Sequence, residues 1–301
     1  MTLEACNARL PLSMKRVGIL YHPRLEKAQN LANKLESLLA AQEVSSWQCS
    51  AWDEDKARPQ VAGTDLILSL GGDGTILHAA RIITPLSVPI VGINFGKLGF
   101  ITELNGREIL AKLPDLLEGN GWVEERAMLE AQLLPCHCER MSRSPEQSEG
   151  EAISHPALND VVVRSTTVRL VNIEVEIDSE AIASYRVDGI IIATATGSTA
   201  YSLAAGGPIL HPQSKEFILQ PVSCHLGLTH SLVLPPQSIV NLKVAGGDKA
   251  VLSLDGQINL PLSGEQQVRV KLSPYTSRFL RIHQPTYFYG SLWQKLRGKA
   301  A

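Results

Sequence analysis

Apolar and polar positions alternate with two different periods along this chain, and the change between them divides it. Arg16–Tyr21 is an apolar, partly β-branched run, after which Leu25, Ala28, Ala32, Leu35 and Leu39 recur at steps of three and four, the stripe of a helix that buries one face. Asp65–Leu70 predicts a second strand ending in the cluster Gly71-Gly72-Asp73-Gly74-Thr75. Ile76–Ile83 then predicts a helix and Pro89–Asn94 a third strand. Strands separated by helices imply a parallel sheet, here a Rossmann-like α/β domain. Beyond about Trp122 the period becomes two, as in Ile173, Val175, Ile177 and again in Val268, Val270, Leu272, with turn pairs such as Gly246-Gly247 between runs. That pattern predicts an all-β, sandwich-like domain. Tyr287–Arg297 returns to helical periodicity.

The domains expected from these shifts are an N-terminal α/β domain over 14–122, a β-rich domain over 123–280, and a segment 281–301 that returns to the first. Residues 136–155 (CHCERMSRSPEQSEGEAISH) carry no apolar face and read as an inserted, mobile surface loop. The 301 residues are ample for two cores. With 28 Lys and Arg against 30 Asp and Glu, the balance gives no bulk electrostatic reason to bind nucleic acid or an anionic membrane. Five scattered cysteines, at 6, 49, 136, 138 and 224, suit a reduced, cytoplasmic compartment. The first 13 residues do not resemble a secretory signal and read as an unstructured extension, or an upstream start, before Met14. The stretch Gly189–Ser214 has no charged side chain, yet its glycines, Pro208 and many hydroxyls deny a bilayer the continuous apolar surface it needs.

Chemistry concentrates in three places. A strand ending in GGDGT sets flexible backbone at the carboxyl edge of a parallel sheet, and the helix that follows favours an anion at its start. Asp73 is the anomaly there, because a carboxylate repels phosphate unless it holds a metal or accepts a proton from an attacking hydroxyl. The loop lacks the Lys of a Walker A motif, and Leu77 stands where a dinucleotide fingerprint needs its third glycine. A plain strand-to-helix turn with Asp73 as cap is the structural alternative. The strip Thr196–Tyr201 with Ala205-Gly206-Gly207-Pro208 combines hydroxyls, small residues and an aromatic, which suits ribose hydroxyls and flat rings, or else a tight helix-on-sheet crossing. Asn159-Asp160 puts an amide and a carboxylate at the head of a strand. Cys136-His137-Cys138 lacks the second ligand pair of a zinc site, and no metal ligand is assigned.

Taken in order, GGDGT (71–75), GINFGKLGF (92–100), ALND (157–160), DG (188–189), TGSTAYSLAAGGP (196–208), a histidine in VSCHLGL (222–228) and SLDGQ (253–257) resemble the NAD kinase family. The resemblance implies transfer of the γ-phosphoryl group of ATP to the 2′-hydroxyl of the adenosine ribose of NAD. It implies Asp73 as general base, Gly71, Gly72, Gly74 and Thr75 around the phosphates, and Asn159 with Asp160 on the adenosine. Asp188 would lie near the nicotinamide end and Arg186 would bind the NAD substrate, while Thr199, Ala200 and Tyr201 would line the dinucleotide site, and Phe100 and His225 would lie near the nucleotide. A divalent cation, Mg²⁺, and a homodimer or homotetramer are also implied.

The chain departs from the family's pattern at Ala193-Thr194-Ala195, where Ser-Thr-Pro is common, and at Ala204, Cys224 and His230. These changes leave the presumed base intact. Two other readings stay open on sequence: a kinase of the same superfamily acting on a lipid or other alcohol, and a non-catalytic NAD(P)-binding module.

Overall fold

The computed structural model describes residues 14–96, 99–134, 154–226, 228–262 and 266–297. Residues 1–13 and almost all of the 136–155 insertion lie outside the described residues. In chain order the elements are β1 (Arg16–Tyr21), α1 (Glu26–Ala41), β2 (Ser45–Ser50), α2 (Glu54–Ala57), β3 (Leu66–Leu70), α3 (Asp73–Ile83), β4 (Ile90–Asn94), β5 (Leu104–Asn105) and α4 (Glu108–Leu117). They are followed by β6 (Trp122–Leu134), β7 (Ser154–Ala157), β8 (Asp160–Ser165), β9 (Val171–Ile177), β10 (Glu180–Val187), β11 (Gly189–Ala193), α5 (Tyr201–Ala204), β12 (Phe217–Val222) and β13 (Leu232–Leu234). The chain ends with β14 (Val240–Val244), β15 (Ala250–Leu254), β16 (Ile258–Leu262), β17 (Gln267–Arg281) and α6 (Tyr287–Arg297). Two compact units result, one of residues 1–125 and 277–301 and the other of 126–276.

In the first unit β2, β1, β3 and β4 form a parallel sheet in that order, and β5 pairs with the end of β4. Leu66, Leu68 and Leu70 share a cluster with Ala28, Ala32, Leu35 and Leu39 of α1 and Leu113 and Leu116 of α4. Ile67 and Ser69, on the alternate positions, are buried as well. A strand covered on both faces loses its polar alternation, which is why β3 reads as a continuous apolar run. The order turns back between β1 and β3, so the loops after these strands diverge and open a crevice at the carboxyl edge. GGDGT follows β3 at that point. The sheet also contains β2 (SSWQCS), which the apolar pattern did not predict: it is the edge strand, with four of its six residues partly or fully exposed. The helix predicted from Ile76 starts three residues earlier, at Asp73.

The second unit is a pair of packed sheets. One is antiparallel, in the order β13-β12-β11-β8-β15-β16; the other is built from β10, β9, β14 and β17 with β6 and β7. Val163, Ile190 and Leu252 from the first share one core with Ile173, Val240 and Val268 from the second. The other face of the first sheet, at Val162, Ile191, Ala193 and Ile218, is covered by Ala205 and Leu210. The central strands β8 and β11 are therefore buried on both sides and lose their alternation too. Ser154 and His155, placed at the end of the predicted mobile loop, instead begin β7 and pair with Gln132 and Ala131 of β6. The uncharged stretch after Gly189 resolves into β11, a 3₁₀ turn at Gly197–Thr199 and the single turn α5. Among the described residues no helix is long and apolar enough to cross a membrane.

Candidate active site

The glycine-rich turn after β3 places Asp73 at the first position of α3, with Gly72 as the residue before it. Asp73 does not cap its own helix. Its carboxylate reaches across to the segment after β4, where Oδ2 accepts the N–H of Phe100 at 2.8 Å and Oδ1 accepts those of Ile101 and Thr102 at 3.2 and 3.3 Å. An ionised carboxylate has about four lone-pair positions; three are used, and the remaining one lies on Oδ2. The plain capping role open on sequence is thereby excluded. Gly99 makes this approach possible, since a Cβ there would come within 2.1 Å of Asp73 Oδ1. Thr102 Oγ1 accepts the Gly99 N–H at 3.0 Å, and the Glu103 N–H reaches the Gly92 carbonyl at 2.8 Å, so the segment is anchored on β4.

The glycines of the turn differ among themselves. At Gly71 a Cβ would meet Thr75 Oγ1 at 2.0 Å, so packing demands glycine. At Gly72 and Gly74 a Cβ would meet nothing within 4 Å, and neither residue has a positive φ. Among the described residues no contact requires glycine at those two positions. The Thr75 hydroxyl is buried with no hydrogen-bond partner among the described residues.

In the second unit the predicted residues fall into two groups. Asn159 and Asp160 stand at the head of β8 beside Ala193, where β11 ends. Thr194 ties them to the small-residue strip: its hydroxyl donates to the Leu158 carbonyl at 2.6 Å and accepts the Gly197 N–H at 3.0 Å. Gly197 packs so closely that a Cβ would meet the Asn159 carbonyl oxygen at 2.0 Å. Thr199 is buried, Ala200 partly buried and Tyr201 exposed. The second group is Arg186, Asp188 and His225. Arg186 exchanges backbone hydrogen bonds with the segment after β12, its N–H on Leu226 and its carbonyl accepting from His225. All three side chains are exposed. Gly189 pairs with Arg164 at the far end of β8, four residues from Asp160, or about 13 Å at ~3.3 Å per residue.

One site residue had no role assigned from sequence. Asp255, from the SLDGQ motif, accepts the N–H groups of Leu158, Asn159 and Asp160 at 2.9, 2.7 and 3.1 Å. Asp255 and Gly256 both have positive φ, and the Gln257 N–H returns to the Leu254 carbonyl, the two-residue turn that Asp-Gly favours between antiparallel strands. The turn between β15 and β16 thus delivers a carboxylate to the head of β8. Asn159 is thereby fixed with its side-chain oxygen buried, an acceptor with no hydrogen-bond partner among the described residues. Among the described residues no group of three or more His, Cys, Asp or Glu could hold a metal ion.

Asp160 is 5 % exposed, and its carboxyl is pushed up to about 7, by burial first and by the Asp255 carboxylate second. Unfolded, it titrates near the ordinary value of 3.8. Between those values the folded chain keeps a proton that the unfolded chain has released, so stability falls as pH rises from about 4 to about 7 and then levels. At ~1.4 kcal/mol per unit, the ceiling is about 4 kcal/mol. The Tm of Asp160→Asn minus that of the unmodified protein is expected to rise between about pH 5 and about pH 8. A constant difference in thermal melts across that range would show that Asp160 titrates normally.

Comparison with known proteins gives the family. Residues 11–120 match the family model of the ATP-NAD kinase N-terminal domain, and residues 158–282 that of the ATP-NAD kinase C-terminal domain. The chain is 44% identical over 285 residues to the NAD kinase of Dehalococcoides mccartyi, covering 94% of this chain and 96% of that one. It is 36% identical over 287 residues to the NAD kinase of Chloroflexus aggregans, covering 94% and 99%. Among solved structures, yeast NADH kinase complexed with NADH superposes with a TM-score of 0.80 at 22% identity, over 96% of this chain and 89% of that one. An NAD kinase from Archaeoglobus fulgidus in complex with ATP gives 0.71 at 24%, over 94% and 98%. These last two establish the fold alone, whereas the family models and the relatives matched over nearly their full length establish that the chain belongs to the NAD kinase family.

Proposed function

We propose that this enzyme transfers the γ-phosphoryl group of ATP to the 2′-hydroxyl of the adenosine ribose of NAD, with Asp73 as the general base. The observation that carries the reading is the Asp73 carboxylate, held by three backbone N–H groups with one acceptor position left on Oδ2. A ribose hydroxyl is a poor nucleophile at neutral pH, and a fixed carboxylate that takes its proton as the new P–O bond forms lowers the barrier. The open space at Gly72 and Gly74 suits close approach of a phosphate chain to the backbone at the start of α3. Asn159 and Asp160 hold the adenosine, where the unbonded Asn159 oxygen accepts from a hydroxyl or amine of the ligand. Arg186, Asp188 and His225, at the other end of the β8–β11 pair, take the nicotinamide end. Thr199, Ala200 and Tyr201 supply the wall of the dinucleotide site.

The donor set does not build a metal cage among the described residues. It fits a Mg²⁺ ion carried mainly by phosphate and water oxygens, which supplies charge neutralisation on the triphosphate.

Asp73→Asn keeps Oδ1 as acceptor for Ile101 and Thr102 and removes the proton acceptor, but it sets the amide NH2 against the Phe100 N–H that Oδ2 now accepts. Its rate of NADP formation, read by coupling the product to an NADP-specific dehydrogenase, is expected to fall about 10²–10⁴-fold, with the fold kept and stability lowered by about 1–3 kcal/mol for the lost hydrogen bond. Near-normal turnover would sink the assignment. Phosphorylation of a diacylglycerol or sphingoid base in place of NAD would favour the lipid-kinase reading, and NAD binding without turnover the non-catalytic one.

Gly72→Ala and Gly74→Ala separate the two kinds of glycine. Both are expected to fold normally, with Gly74→Ala gaining about 0.5–1 kcal/mol from the lower entropy of the unfolded chain. The KM for ATP should rise about tenfold or more, matching the ~1–3 kcal/mol of a methyl forced into a filled space. Unchanged KM values in either variant would mean that phosphate does not approach this backbone.

A further inference from the structure

The segment that holds Asp73 is itself held by the last strand. Arg281 closes β17 with its side chain buried. Nε donates to Glu124 Oε2 at 2.8 Å and Nη2 forms an ion pair with the same oxygen at 2.7 Å, while Nη1 donates to the Ile101 carbonyl at 2.7 Å and to Glu103 Oε2 at 3.1 Å. The other oxygen of Glu103 accepts the N–H groups of Ile282 and His283, each at 2.8 Å, and contacts His283 Nδ1. The Phe279 ring lies beneath the guanidinium, 5.0 Å from its centroid.

One peptide plane joins this cluster to the carboxylate. In a trans peptide the C=O and N–H point in opposite directions. The unit between Ile101 and Thr102 turns its carbonyl to Arg281 and its N–H to Asp73 Oδ1. A cation on the carbonyl polarises the peptide and strengthens its N–H as a donor. It also fixes the plane, so the N–H cannot swing away from the carboxylate. The next residue, Glu103, is locked to the same guanidinium.

We propose that Arg281 is a positioning residue for Asp73, acting through the Ile101–Thr102 peptide with Glu103 and Glu124 as its anchors. It touches no substrate and aims the group that does. The inference rests on the reading of Asp73 as base, and the test separates the two.

Arg281→Lys keeps the charge but replaces a planar fork by a single ammonium, which cannot serve Glu124, Ile101 and Glu103 in their present geometry. It is expected to lower kcat by about 10- to 100-fold, as a misaimed catalytic group does, with KM for NAD and ATP within about twofold of the unmodified enzyme. Two further readouts separate positioning from general support of the fold. In the Asp73→Asn background, Arg281→Lys should cause no further fall in kcat, because the group it aims is already disabled. Amide hydrogen exchange in peptides spanning 99–103 should quicken in Arg281→Lys with the rest of the unit unchanged.

A folded Arg281→Lys with normal kcat, an equal further fall in the Asp73→Asn background, or unaltered exchange at 99–103 would each overturn the proposal. If Arg281→Lys does not fold, Glu124→Gln replaces it: it keeps the hydrogen-bond acceptor, weakens the anchor, and should lower kcat several-fold at constant KM, with normal kcat counting against the proposal. Normal turnover in Asp73→Asn alone would instead remove the base assignment, and exchange at 99–103 would then decide the positioning claim by itself.

Discussion

A guanidinium buried between two carboxylates sits where the end of β17 meets the segment after β4. Desolvating any of these charges singly is expensive, and the cluster is tolerable only because the set is nearly complete. Burial opposes the charge on Arg281, but the pairing with Glu124 and Glu103 outweighs it and the pKa is raised. Burial would likewise raise the Glu103 carboxyl, and Arg281 together with the His283 and Ile282 N–H groups reverses it, so the carboxyl stays below its ordinary value. A hydrophobic trio could fill the same volume. It could not offer a donor to the Ile101 carbonyl, and the peptide that bonds Asp73 would lose its anchor.

The same device appears in the second unit with different parts. Asp255 accepts three successive N–H groups, as Asp73 does, and in both cases one oxygen takes two donors and the other takes one. The purposes differ. Asp73 is a partly buried side chain with acceptor capacity to spare, oriented by the amides it binds. Asp255 works in the opposite direction: the carboxylate fixes the backbone, and the side chains of Asn159 and Asp160 are what gain a defined direction. Its charge also helps keep the Asp160 carboxyl protonated up to about 7, so orienting that residue and easing its ionisation are in conflict. A ligand donor at Asp160 would relieve the conflict by stabilising the carboxylate form.

Much of the fold was legible in the sequence because it follows from local periodicity. The bounds of β1 and α6 came directly from apolar spacing. Strand β2 escaped because an edge strand needs little apolar surface, and SSWQCS supplies only Trp47 and Cys49 as buried residues. Helix α3 was read late because the residues that start it, Asp73 and Gly74, are neither apolar nor strong helix formers. The ordered motifs singled out Asp73, Asn159 and Asp160 as candidates. What supports them was illegible: Glu103 and Arg281 are 178 positions apart, and Leu158 and Asp255 are 97 apart, separations at which a side-chain contact leaves no periodic trace. SLDGQ showed the turn, through Asp-Gly, and not the destination of its carboxylate.

Glycine content shows most clearly how fold and function share a short motif. In GGDGT the three glycines are indistinguishable as letters, yet one is needed to admit Thr75 and two are required by no contact among the described residues. Gly99, outside the motif and 26 residues from Asp73, belongs functionally with them, because a methyl there would occupy the space of the Asp73 carboxylate. Gly197 belongs to the first kind, pressed on the Asn159 carbonyl. A glycine with nowhere to put a Cβ marks internal packing. A glycine with ample room and an ordinary φ carries a cost in unfolded-chain entropy that no contact among the described residues repays, and close approach of a ligand can repay it. On the proposed reading that room is taken by the phosphate chain, which would pass over Gly72 and Gly74, the residues on either side of Asp73.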